Sequence, residues 1–169
     1  MTKTVALLAL TGLLTLPLPA QQMNLSGSWK INLAKSALAG DHPLPGYELR
    51  KEIEQKGSKF VISDSTVHAS MFGMPIPDST VTNEYVSGEK MRRSSGPCPF
   101  GIPPSEIQIA AEQQGGTLLI TEVGGCFGIA ATTERRYFLS ADGAQLNELI
   151  NSRSSFGDTE QRLVFDRRR

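Results

Sequence analysis

Between Lys56 and Gly157 the chain punctuates itself in strict alternation: Lys56-Gly57-Ser58, Phe72-Gly73, Ser87-Gly88-Glu89, Phe100-Gly101, Gln114-Gly115-Gly116, Phe127-Gly128, Ala141-Asp142-Gly143, Phe156-Gly157. Successive phenylalanines of these pairs stand 27 to 29 residues apart. The glycine turns between them are short and polar, as tight hairpins require. In an antiparallel meander every other connection falls at the same end of the sheet. One end is thus predicted to carry the tight hairpins and the other the four Phe-Gly loops. The fold class that follows is all-β: a single up-and-down antiparallel barrel with a closed floor and an apolar mouth.

The segments between these marks read as strands. Trp29-Lys30-Ile31-Asn32-Leu33 alternates apolar and polar, the period-two pattern of a half-buried strand, and Leu49, Lys51, Ile53 and Gln55 continue it less cleanly. Ten strands are predicted, near 28–33, 47–55, 59–65, 79–86, 90–95, 106–112, 117–123, 132–140, 145–152 and 160–166. Helical periodicity is missing after residue 20; Lys35 to Leu38 has room for a single turn before Pro43, Pro45 and Gly46 stop it. With the hairpin at Gly57 placed at the floor, the first strand starts there and the tenth ends there. Pairing the two would close the sheet and remove its edges. Trp29 and Arg167 then become neighbours at the floor, within cation-π reach of about 6 Å.

Residues 1–20 hold one lysine, Lys3, an apolar run from Val5 to Leu18 and Ala20 before Gln21, the layout of a cleavable secretory signal. Pro17 and Pro19 make the run a poor membrane span. Residues 21–169 are then expected as one exported domain, periplasmic or extracellular, large enough for a real core. Without Lys3, 16 basic residues face 17 acidic ones, which leaves no global field to attract nucleic acid. In each doublet Arg92-Arg93 and Arg135-Arg136, strand alternation sends one arginine inward, where it could meet an anion. Cys98 and Cys126 each stand just before a Phe-Gly pair, and an oxidising compartment makes their pairing the default. Closing that loop of about 29 residues is worth about 3 to 4 kcal/mol in the chain-entropy account.

Ser26-Gly27-Ser28-Trp29-Lys30-Ile31-Asn32 resembles the Gly-x-Trp start of lipocalins and the Gly-Thr-Trp-Lys start of intracellular fatty-acid-binding proteins, both ligand-carrying up-and-down barrels. Leu163-Val164-Phe165-Asp166-Arg167 is similar to their closing strand. The Tyr137-Phe138-Leu139-Ser140-Ala141-Asp142-Gly143 hairpin is also similar to one in small exported bacterial lipocalin-like proteins of unassigned function. The resemblance implies that Trp29 packs under Arg167 as a structural floor. It also shows a departure: where fatty-acid-binding proteins hold a carboxylate with Arg-x-Tyr on the last strand, this chain has Leu163 and Phe165. Arg162 or Arg135 would have to replace that anchor, if inward.

Ten strands enclose a wider lumen than eight. The mouth segments Met71-Phe72-Gly73-Met74-Pro75-Ile76-Pro77 and Phe100-Gly101-Ile102-Pro103-Pro104 place rings, thioethers and prolines where loops are usually polar. Phe72, Met74, Phe100, Ile102, Phe127 and Arg135 are therefore the candidate ligand contacts. A plug that completes the core is the bland alternative for the loop residues. His42 and His68 lack ligand spacing from either cysteine, no cofactor, metal or catalytic signature is present, and Glu106, Glu112, Glu122, Glu134 and Glu148 are scattered over the strands. Three functions stay open: a carrier of a small apolar or amphiphilic molecule, a protein-binding barrel such as an inhibitor of a secreted enzyme, and a barrel enzyme acting on a lipid-like substrate.

Overall fold

The computed structural model describes residues 24–38, 48–67, 70–71, 74–75, 77–94, 105–125 and 131–168, without the side chains of 70, 71, 74 and 75. Its strands are β1 (Gly27–Ile31), β2 (Glu48–Lys56), β3 (Lys59–Val67), β4 (Ser70–Met71), β5 (Met74–Pro75), β6 (Ser79–Val86), β7 (Lys90–Ser94), β8 (Glu106–Gln114), β9 (Thr117–Gly124), β10 (Ala131–Leu139), β11 (Gln145–Ser154) and β12 (Gly157–Arg167). Ten of them form one curled antiparallel sheet in the order β6-β3-β2-β1-β12-β11-β10-β9-β8-β7, and β4 and β5 form a two-residue hairpin between β3 and β6. None of the helices among the described residues is long and apolar enough to cross a membrane.

The first and last of the ten strands pair, with Trp29 opposite Arg167 and Ile31 opposite Phe165. The sheet nevertheless keeps two edges. They are β6 and β7, consecutive in the chain yet not laddered to each other, so the expectation that closure removes every edge is corrected. The cause is the turn that joins them: Gly88 N–H donates to the Ala111 carbonyl at 2.8 Å and Ser87 N–H to the Ser58 carbonyl at 2.8 Å. Only Glu89 N–H closes the turn on itself, to the Val86 carbonyl at 3.1 Å, and β6 and β7 leave it along β3 and β8 respectively. Half-way up the seam, Arg93 donates to the Asn83 side-chain oxygen and bridges it.

Two local expectations are also adjusted. The single helical turn falls at Leu33–Lys35, where the Asn32 side chain caps it by accepting from Lys35 N–H, and pairing with β12 resumes at Ala37 opposite Arg162. Phe156-Gly157 forms a tight turn and not a loop. Ser154 pairs directly with Gly157, whose φ of +120° reverses the chain, and Phe156 is 84 % exposed at the tip.

Strand alternation places one set of side chains inside. Trp29, Phe60, Leu118, Leu146 and Phe165 fill the end that carries the Gly57, Gly88, Gly115 and Gly143 turns, all of them sealed from solvent. Leu25 closes this floor from below, held by its N–H to the Gln55 side chain at 2.9 Å.

Candidate functional site

Following the inward side chains from floor to mouth shows where the barrel stops being full. On β10 the sequence is Tyr137, buried, then Arg135, whose side chain is 34 % exposed, then Thr133, partly exposed. On β3 it is Phe60 and Ile62, buried, then Asp64, 40 % exposed. On β9 Leu118 and Ile120 are sealed, and Glu122 above them is not. Groups that point inward and yet meet solvent border an interior space. The lower half is thus packed and sealed, whereas Asp64, Glu122 and Arg135 above it keep contact with solvent.

A charged belt marks the boundary. Lys51, on the same face of β2 as Leu49 and Ile53, is buried and pairs with Asp64 and, at 3.3 Å, with Glu148. Glu148, equally buried, also accepts from Arg135 at 3.1 Å and from the Tyr137 hydroxyl at 2.9 Å. The lysine ammonium lies 5.0 Å from the Tyr137 ring centre and 5.6 Å from that of Phe165, so the apolar floor itself supports the charge. Further round, Arg93 donates to Glu122 at 3.0 Å. Buried charges persist only when paired and hydrogen-bonded, and these meet that condition.

The electrostatics favour the carboxylate of Glu148, the neutral phenol of Tyr137 and the cation of Arg135. Burial alone would raise the Glu148 carboxyl, but Lys51 and Arg135 outweigh it and hold it below the ordinary glutamate value of 4.5. Burial and then the Glu148 charge push the Tyr137 phenol well above 10.0, which keeps it a donor. Burial works against the charge of Arg135, yet Tyr137, Glu148 and Glu122 hold it more firmly cationic than usual. A carboxylate so held accepts hydrogen bonds and does not serve as a general acid near neutrality.

Of the residues singled out from the sequence, Arg135 faces inward and joins the belt, with its neighbour Arg136 outside on Glu134. Arg162 points outward to the Asn147 side chain, and Leu163 and Phe165 point into the core. Trp29 and Arg167 meet at the floor, 4.3 Å from guanidinium carbon to ring centre. Met74 lies in β5 without a described side chain, and Phe72, Phe100, Ile102, Phe127, Cys98, Cys126, His42, His68 and the leader lie outside the described residues. Among the scattered acids, Glu122 and Glu148 face inward; Glu106 and Glu134 sit outside on Arg92 and Arg136. Sequence reading passed over Lys51, Asp64 and Glu148 as a set. A lysine at the apolar phase of a strand was the available signal, but its partners come from β3 and β11.

No protein-family description matches this chain, and no curated protein matches it in sequence. Solved structures do match in shape. Human cRBP IV, a cellular retinol-binding protein, superposes with a TM-score of 0.52 at 15 % identity, over 86 % of this chain and 98 % of its own. The zebrafish ileal bile acid-binding protein complexed with cholic acid gives 0.52 at 15 %, over 85 % and 98 %. The fold is calycin-like. The secretory abundant heat soluble protein 4 of Ramazzottius varieornatus superposes with a TM-score of 0.51 at 11 % identity, over 85 % of this chain and 94 % of its own. The calycin-like barrel of this chain carries inside it the belt of Lys51, Asp64, Glu148, Arg135, Arg93 and Glu122.

Proposed function

We propose that this protein is an exported carrier that holds a small apolar or amphiphilic molecule in the upper half of its calycin-like barrel. One observation supports the reading: inward side chains are sealed at the floor and partly exposed at Asp64, Glu122 and Arg135, as they would be around a space opening away from the Trp29 end. Fold neighbours named for retinol and bile-acid binding support it by analogy of architecture. Arg135 is proposed to meet the polar end of the guest, and Phe72, Met74, Phe100, Ile102 and Phe127 to rim its entrance. Along the chain Phe72 stands between β4 and β5, Met74 in β5, Phe100 and Ile102 between β7 and β8, and Phe127 between β9 and β10.

Native mass spectrometry of protein purified from its own exported compartment tests the carrier reading. A retained small molecule of a few hundred daltons is expected. A co-purifying protein with an empty barrel would instead favour an inhibitor. Export is tested by the mature N-terminus, expected at Gln21. The proposed Cys98–Cys126 bridge is tested by thiol labelling of denatured, unreduced protein, which is expected to modify neither cysteine.

A further inference from the structure

The inward-facing charges of the described strands cancel. Lys51, Arg93 and Arg135 stand against Asp64, Glu122 and Glu148, and every cation has a carboxylate partner. A carboxylate-headed guest would bring a further negative charge into this space with no unmatched cation to receive it, while losing its own hydration. Uncharged polar heads meet no such obstacle. We propose that the guest's head is an uncharged hydrogen-bonding group, an alcohol or a primary amide, seated beside Arg135 and Thr133; this rests on the carrier reading above.

Two cross-strand rows build the seat. In the lower row Arg135 stands between Ile120 on β9 and Ile150 on β11. In the upper row Thr133 stands between Glu122 and Ser152, with Thr159 next beyond Ser152. The Thr133 and Ser152 hydroxyls bond each other at 3.1 Å, which leaves each with further capacity. A guanidinium has five N–H donors, and the Glu148 carboxylate receives one of its nitrogens, Nη1. Donors (Arg135) and acceptors (Glu122, the two hydroxyls) therefore lie side by side. A hydroxyl or amide both donates and accepts and can satisfy the pair; a carboxylate only accepts, and would lie against Glu122. Ile120 and Ile150 flank the seat with apolar surface for the first carbons of a chain.

The test is displacement of the neutral dye Nile red from the full chain by 1-decanol and by decanoate at pH 8, each below its own micelle or solubility limit. Decanol is expected to displace the dye at a concentration at least tenfold below that of decanoate. Glu122→Gln leaves the belt with one uncompensated positive charge and is expected to tighten decanoate at least tenfold while changing decanol less than threefold. Thr133→Val, nearly isosteric, is expected to weaken decanol and is the second arm should Glu122→Gln fold poorly. Decanoate equal to or tighter than decanol in the natural protein, or a Glu122→Gln variant with unchanged preference, overturns the head-group inference and leaves the carrier reading standing. Failure of Nile red and of both probes to bind at all sinks the carrier reading, and this inference falls with it.

Discussion

Arg167 lies over the face of Trp29, its guanidinium carbon 4.3 Å from the ring centre, and the two residues are also direct partners across the β1–β12 ladder. The guanidinium donates to the carbonyls of Ser26 at 3.3 Å and Gly143 at 3.4 Å, so one side chain ties the first strand, the last strand and the β10–β11 turn. Gly27 makes room for it. A Cβ there would stand 2.9 Å from the Arg167 Nη1 atom, and the φ of +153° is one that L side chains rarely adopt.

Gly27→Ala is therefore expected to destabilise the fold by about 1 to 3 kcal/mol, through backbone strain and the displaced arginine. Arg167→Met is expected to cost about 1 kcal/mol. Trp29 is the chain's one tryptophan, so urea unfolding followed by its fluorescence reads both directly. In the Arg167→Met background the alanine should cost less, because part of the penalty is the clash with the guanidinium; full additivity would show that the clash is not the cause.

Glu148→Ala is expected to cost about 3 to 5 kcal/mol, the range for leaving a buried charge without its partner. Here Lys51 keeps Asp64, but Asp64 is 40 % exposed, and the sealed side of the lysine loses its anion. Chemical denaturation gives the value. A loss within 0.5 kcal/mol would mean that the belt is solvated and not a buried network.

Acid should undo the same network. The Glu148 carboxyl is held below 4.5 in the folded protein, so the unfolded chain binds its proton more readily. Its contribution to stability is then fully present above about pH 4.5 and is lost as pH falls through the lowered folded value. The urea midpoint is expected to drop steeply below about pH 4, and Glu148→Gln, already weakened, should show a shallower fall over that window.

Phe100→Glu is expected to weaken binding of an apolar dye by well over tenfold, since desolvating a charge at an apolar entrance exceeds the roughly 1.4 kcal/mol that a factor of ten requires. Phe156→Ser serves as the contrast. Phe156 is 84 % exposed on its tight turn, and its replacement should alter stability by less than about 0.5 kcal/mol. Unchanged dye affinity in the Phe100 variant would remove that loop from the entrance.

What the chain determines locally was legible in its sequence. Period-two alternation and glycine turns are properties of a few consecutive residues, and they place strands such as Ser79–Val86 and Lys90–Ser94 to within a residue of where they lie. The meander then follows, because an antiparallel strand pairs with its successor, and with it the meeting of Trp29 and Arg167. Alternation also assigns Arg93 and Lys51 to the inside once the phase of each strand is known. Tertiary structure decided the rest. Which inward residues share a height depends on register across strands, so that Lys51 of β2 finds Asp64 of β3 and Glu148 of β11 although 97 residues separate Lys51 from Glu148 along the chain. The seam between β6 and β7 arises where the turn at Ser87-Gly88 gives its donors to Ser58 and Ala111. Strand pattern is a local preference, whereas charge pairing and sheet edges are settled by what the folded chain brings alongside.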